Sequence, residues 1–252
     1  MPRLFIPSVP DKEIRLTGKE ARYILRVLRR RKGDELTLFD SKGNSYRAVI
    51  TETGRKEATA SIKETLHPKT ESPLGLILLQ AVLKGQKMDL VIRKTTELGV
   101  KEIIPVISER TEVRETGKLS RWRKIAVEAG QQSGRTVVPE IQNPVGLMDF
   151  FSSAMGQGAP AKLSPPLKGI ILYEQDGISI RKAAEDLSAE GVNDPSTVFL
   201  LVGPEGGFTP EEAEAAVRVG LKKVYLGERT LRAETAAIAG AAVLQSLLGD
   251  MR

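Results

Sequence analysis

Apolar positions along the chain keep two different rhythms, and the change falls at Ser72 and Pro73. Before that point Leu36 and Leu38 alternate with polar neighbours, as do Tyr46, Ala48 and Ile50, and then Ala58, Ala60 and Ile62. A period of two predicts strands buried on one face. Arg3 to Ile6 reads as one more strand. The exception is Ala21, Ile24, Leu25 and Leu28, which recur at helical spacing. Thr17 and Glu20 have the spacing of a capping box and Gly33 follows the run, so a helix is predicted between them.

From Pro73 onward strands and helices alternate. Leu74 to Leu83 is a continuous apolar run, suited to a strand buried on both faces. Met88, Val91, Ile92, Thr95 and Leu98 then predict a helix closed by Gly99. A strand at Ile103 to Ile107, a helix marked by Trp122, Ile125, Ala126 and Ala129, and a short strand at Val137 to Ile141 follow. Further strands are predicted at Ile170 to Tyr173, Val198 to Val202 and Val224 to Leu226, with helices near 179–190 and 210–219. A helix of small residues, Glu234 to Leu248, comes last, and Ser152 to Leu167, rich in Gly, Pro and Ser, reads as a surface loop. This alternation predicts an α/β fold with a mostly parallel sheet. The polar junction carrying His67, Pro68 and Pro73 reads as a linker, giving a β-rich domain at 1–72 and an α/β domain at 73–252.

Composition narrows the chemistry. With no Cys and one His in 252 residues, thiol nucleophiles, Cys-ligated zinc, iron–sulfur clusters and His-rich metal sites are excluded, so no metal is expected. No run approaches the roughly 18 apolar residues of a membrane span, so a cytoplasmic protein without a membrane partner is expected. The net charge of +6 is unevenly placed. Residues 1–72 hold 16 Lys and Arg against 10 Asp and Glu, and the rest of the chain is neutral. Lys19 to Lys32 alone carry seven cations opposed by Glu20. Ion pairs cannot neutralise such a helix face, and a phosphate-binding surface is the better reading.

Two loops after predicted strands stand out, since ligands of open α/β sheets bind beyond the carboxyl ends of the strands. The first is Gly203-Pro-Glu-Gly-Gly-Phe208, followed by Thr209-Pro-Glu-Glu212, whose Thr, Pro and Glu predict a capped helix. Its three Gly exceed what one turn needs and let a ligand approach the backbone; no Gly-Lys-Ser/Thr follows, so it is not a Walker loop. The second is Gly227-Glu-Arg-Thr-Leu-Arg-Ala-Glu-Thr235, where Arg229, Arg232 and Glu234 suit either a surface ion-pair cluster or a site.

Together Val202-Gly-Pro-Glu-Gly-Gly207 and Leu226-Gly-Glu-Arg-Thr-Leu-Arg-Ala-Glu-Thr-Ala236 resemble the paired signatures of SPOUT methyltransferases, and more closely the RsmE family of 16S rRNA uridine-N3 methyltransferases. Arg3-Leu-Phe-Ile6, Val27-Leu-Arg29 with Gly33-Asp34, Lys94-x-x-Glu-Leu-Gly-Val100 and Glu128-Ala-x-x-Gln-Ser-Gly-Arg135 extend the resemblance over nearly the whole chain; Tyr23 stands where the family often has His. The resemblance implies an N-terminal PUA-like β-barrel for RNA and an α/β domain tied in a deep trefoil knot. It implies S-adenosylmethionine held by Leu201, Gly203, Pro204, Gly206, Leu226, Gly227 and Leu231. It also implies methyl transfer to uracil N3; for that reaction Arg232 is the candidate to stabilise the developing charge or to hold a phosphate, and Glu205 and Glu234 are the candidate proton acceptors, with solvent as the alternative. Arg3, Arg22, Arg26, Arg29 and Arg30 are then the residues that grip 16S rRNA or the small ribosomal subunit, and a homodimer is expected. Two alternatives stay open: a SPOUT enzyme for another RNA nucleotide, and a non-catalytic RNA-binding assembly factor.

Overall fold

A computed structural model describes residues 1–9, 12–40, 42–156, 166–191 and 197–251. The chain divides into two compact units, one made of residues 1–71 and 127–138, the other of 72–126 and 139–252.

The first unit is a five-stranded sheet of β1 (Arg3–Phe5), β2 (Glu13–Leu16), β3 (Glu35–Phe39), β4 (Ser45–Thr53) and β5 (Ala58–Leu66), in the order β1-β3-β4-β5-β2. Only β1 pairs in parallel. The alternation foreseen in β3 to β5 puts Leu36, Leu38, Ala48, Ile50 and Ala60 into one apolar core, and two bulges in β4 bend it over that core. β2, four residues between charged neighbours, was too short to predict.

The predicted helix is shorter than its sequence pattern. α1 (Gly18–Arg22) passes into a π-helical turn, Tyr23–Val27, in which the N–H of Leu28 reaches back to the carbonyl of Tyr23 at 2.9 Å. Arg29 then adopts φ of 53° and ends the helix, so Arg29 and Arg30 lie beyond it. The expected capping box at Thr17 does not form, because Gly18 enters the helix at φ of 55° and the Thr17 hydroxyl caps no N–H. The predicted strand at Val137 to Ile141 shrinks to two residues. Glu71 explains this: its Oε1 accepts the N–H groups of Thr136 (2.8 Å) and Val137 (3.1 Å), removing them from any ladder. Its Oε2 takes Nη2 of the buried Arg135 at 2.7 Å.

The second unit is a wholly parallel sheet of β6 (Gly75–Ala81), β7 (Glu102–Ile107), β8 (Glu140–Ile141), β9 (Val145–Gly146), β10 (Gly169–Leu172), β11 (Ile178–Ser179), β12 (Thr197–Val202) and β13 (Leu221–Tyr225). Its order is β11-β13-β10-β12-β6-β7-β8, with β9 also on β7. Parallel strands need crossovers, and helices α2 (Lys87–Glu97), α3 (Leu119–Ser133), α4 (Leu147–Met155), α5 (Ile180–Ala189), α6 (Pro210–Arg218) and α7 (Ala233–Leu248) lie between or after them. The architecture is the expected one, a small β unit and a mostly parallel α/β unit. α4 is a correction: Leu147, Phe150, Phe151 and Ala154 fall at helical spacing and are buried, so residues 152–155 are not loop. Residues 157–165 of the predicted loop lie outside the described residues.

Two close approaches hold this sheet together. A Cβ at Gly169 would stand 2.2 Å from the carbonyl oxygen of Phe199 on β12, and one at Gly240 of α7 would stand 3.2 to 3.3 Å from Leu172 and Leu200. Gly169→Ala therefore forces β10 off β12 and should lower stability by about 3 kcal/mol or more, at the upper end of overpacking costs. Gly117→Ala, which meets nothing within 4 Å, should change it by less than about 0.5 kcal/mol. Urea unfolding of the two variants checks the contrast.

Candidate functional site

Parallel pairing brings the carboxyl ends of β10, β12 and β13 to one edge, and the three loops that leave them enclose a cavity of about 410 Å³. β12 contributes Gly203 to Phe208, β13 contributes Leu226 to Arg232, and β10 contributes Tyr173 and Glu174. Composition forces the first loop's path. A Cβ on Gly203 would press on the Phe208 ring at 3.2 Å, and Gly207 sits at φ of 68° with Glu174 Oε1 3.2 Å from the place of a Cβ. The loop ends in the predicted capping box: Thr209 Oγ1 accepts the Glu212 N–H at 3.2 Å and Glu212 Oε2 accepts the Thr209 N–H at 3.0 Å. Glu212 Oε1 accepts the Glu109 N–H at 2.8 Å as well, so one buried carboxylate fixes two loops.

The charges around the cavity are of two kinds. Glu205 is tied: its Oε1 accepts the Lys84 N–H at 3.2 Å and Lys87 Nζ at 2.8 Å. Burial alone would push the Glu205 carboxyl up, but the hydrogen bond from Lys87, two backbone N–H groups and the Lys87 charge outweigh it and hold it below the usual value. Arg229 and Arg232 are free of carboxylates, since no ion pair joins either among the described residues, and the surface ion-pair cluster that suits this spacing is absent. Glu234 Oε2 is buried without a hydrogen-bond partner among the described residues. Glu234 lies in the first turn of α7, whose N-cap Arg232 caps nothing with its side chain, and the positive end of that helix adjoins the cavity.

Of the residues singled out from the sequence, Gly203, Pro204, Glu205, Leu226, Gly227, Leu231, Arg232 and Glu234 line this one cavity. Leu201 lies within the apolar core of the sheet instead. Gly206 is outside the wall, its carbonyl accepting Arg110 Nη1 at 3.0 Å. Arg229, noted in the sequence beside Arg232, lines it too, and Lys87, Tyr173 and Glu174 line it without having been picked out. The last two strands were read for their loops and the strand before them was not, although Tyr173 and Glu174 close it in the same way.

The basic residues of the first unit part company. Arg3 is built into the fold: Nη2 donates to the Arg135 carbonyl at 2.8 Å and the guanidinium lies 5.1 Å from the Phe39 ring centre. Its burial lowers its pKa, opposed by Glu71. Arg30 is half-buried 3.9 Å from Asp34, Arg29 is exposed, and Tyr23 packs against the core. Arg22 and Arg26 are exposed and share a cleft with Arg55 and Lys56. Among the described residues no group of three or more His, Asp or Glu could hold a metal ion, and no helix is long and apolar enough to cross a membrane.

Comparison with known proteins places this geometry. Residues 70–245 match the model of an RNA methyltransferase domain and residues 16–63 that of an RNA methyltransferase PUA domain. Ribosomal RNA small subunit methyltransferase E of Synechocystis is 32% identical over 247 residues, covering 96% of this chain and 75% of that protein. The crystal structure of the Neisseria gonorrhoeae protein of the same name, bound to S-adenosylmethionine, superposes with a TM-score of 0.85 at 34% identity and full coverage of both chains. A Legionella pneumophila methyltransferase in complex with the same cofactor gives 0.83 at 32% identity, covering 99% of this chain and 98% of that one.

The tie between Lys87 and Glu205 has a pH signature. With its folded pKa depressed, Glu205 adds stability above the pKa of an unfolded glutamate, and that stability is lost as pH falls through the lower folded value. Lys87→Met leaves burial less opposed and should raise the Glu205 pKa, read by carboxyl-carbon NMR titration; an unmoved titration would remove Lys87 as the cause.

Proposed function

Because the chain belongs to the ribosomal RNA small subunit methyltransferase E family, a PUA domain followed by an RNA methyltransferase domain, we propose that it methylates N3 of a uridine in 16S rRNA. Its cofactor is S-adenosylmethionine, and the cavity suits that molecule. The lack of side chains at Gly203, Gly207 and Gly227 lets a ligand come close to the backbone, Val202, Leu226 and Leu231 give apolar wall, and Glu234 Oε2 lacks a partner among the described residues. The observation that carries the proposal is this convergence of both signature loops on one cavity, with two Arg and a carboxylate oxygen that have no partner among the described residues.

When bound, the cofactor supplies a methyl group on a sulfonium, an electrophile that needs no metal or covalent enzyme intermediate. The chain's task is therefore to hold uracil N3 in line and make it a nucleophile. N3–H is a weak acid, so its proton must leave as negative charge spreads to the neighbouring carbonyl oxygens. Arg232, free of any carboxylate among the described residues, stabilises that charge, helped by the positive end of α7. Glu234 is the better proton acceptor of the two carboxylates proposed. Glu205 is held ionised by Lys87 and is correspondingly a weak base. Methyl transfer then leaves N3-methyluridine and the cofactor's thioether, with the proton on the acceptor.

In this division residues 1–72 hold the RNA through Arg22, Arg26 and Arg29, and residues 73–252 carry the chemistry as a SPOUT domain with its trefoil knot, in the cytoplasm. Two copies pair at the knot. Half-buried Ala236, Ala239 and Ala242 on α7 are small enough for such a partner to approach closely.

The decisive experiment incubates the protein with tritiated cofactor and small subunits from a strain lacking the modification, and maps the labelled nucleoside. N3-methyluridine is expected. A different labelled nucleotide would reassign the substrate, and no label together with no cofactor binding by titration calorimetry would leave an RNA-binding assembly factor. Arg232→Ala should lower kcat by about 100- to 1,000-fold while cofactor binding persists; an unchanged kcat would remove Arg232 from the reaction.

A further inference from the structure

The first unit contains a cleft of about 400 Å³ between its helix and the turn joining β4 to β5. Its floor is apolar, formed by buried Ala21 and half-buried Leu25, and Gly18 leaves one end open, with nothing within 4 Å of where a Cβ would be. Its remaining lining residues are all cationic: Arg22 and Arg26 from the helix, Arg55 and Lys56 from the turn. No carboxylate pairs with any of these four among the described residues. The acid nearest in sequence, Glu57, is taken by Arg15. Four like charges would repel one another around an empty cleft, and the fold has brought two of them from a segment some thirty residues away in sequence.

We propose that this cleft is a nucleotide pocket, which takes one unstacked residue of single-stranded RNA. The apolar floor and guanidinium planes cover the base or ribose face, and the cations hold the flanking phosphates. The chemistry of the lining selects this ligand. A bare phosphate would use the charges and leave the apolar floor wet, while an apolar ligand would leave four cations unanswered. The volume lies in the range of small-molecule sites, about 300–1,000 Å³. Arg presents a planar fork that both stacks and binds phosphate bidentately, and three of the four cations are Arg. The proposal rests on the reading that the chain acts on rRNA, and it makes the first unit a reader of unstacked residues as well as a basic surface.

The test uses the full-length protein and fluorescence anisotropy with labelled single-stranded and duplex RNA of equal length. The unmodified protein should prefer the single strand. Arg55→Ala with Lys56→Ala, both exposed on the turn, should weaken single-strand binding about tenfold. The slope of log affinity against log salt should shrink by one to two, as expected for about two lost phosphate contacts. Arg26→Lys keeps the charge and removes the plane, so it should cost several-fold in affinity with the salt slope unchanged. Equal binding of duplex, an unaltered double variant or a silent Arg26→Lys would each overturn the pocket and leave only a diffuse basic face. Failure of the underlying reading is separately visible, as absence of methyl transfer to small subunits by the unmodified protein.

Discussion

At Gly169 a single added carbon would stand 2.2 Å from the carbonyl oxygen of Phe199, so β10 reaches its place beside β12 only because that position carries no side chain. β13 then pairs with the other edge of β10. All three strands run the same way, so their pairing fixes the carboxyl ends at one edge. The cavity follows from that alignment. Loops of different composition, one rich in glycine and one rich in arginine, come to face the same space because the strands beneath them cannot slide. α7 seals the arrangement from behind, where Gly240 allows it to approach Leu172 and Leu200.

Electrostatic roles separate by unit and by partner. In the α/β unit the cations near the cavity divide into those already satisfied, such as Lys87 with Glu205, and those left free, Arg229 and Arg232. A satisfied charge positions a loop, whereas a free one beside a cavity is available to a ligand. In the β unit Arg3 belongs to the first kind and Arg22 and Arg26 to the second. Net charge alone, which is large in one unit and zero in the other, would assign these roles the wrong way round for Arg3.

Much of the fold was legible because strands buried on one face and strands buried on both leave different patterns, and β4 to β7, β10 and β12 follow them plainly; β3 departs from its alternation, since Thr37 and Phe39 are buried along with Leu36 and Leu38. Both signature loops were legible too, since their glycines and arginines have no use in an ordinary turn. Other features were not. β2 and β11 are too short to show a period, and α4 was hidden by Ser152 and Ser153 in its last turn and Gly156 after it, despite Leu147, Phe150 and Phe151. The π-helical turn lies between Gly18 and Arg29, both in left-handed conformations that helical spacing does not encode. Arg55 and Lys56 gave no local signal, because what makes them notable is a helix some thirty residues earlier in the chain.

The clasp of Glu71 on residues 135–137 bears on how the protein is made. The first unit is assembled from 1–71 and 127–138, with β6, α2 and β7 of the second unit encoded between the two pieces. Domains commonly fold as units in the order of their synthesis. Here a nascent chain that has just emerged as far as Ser72 lacks the closing segment of its own first unit. Until residue 138 follows, Glu71 has neither Arg135 nor the backbone of Thr136 and Val137 to hold. The first two strands of the parallel sheet, with α2 between them, are therefore synthesised while the unit before them is still incomplete, and that unit can close only once residue 138 has been made.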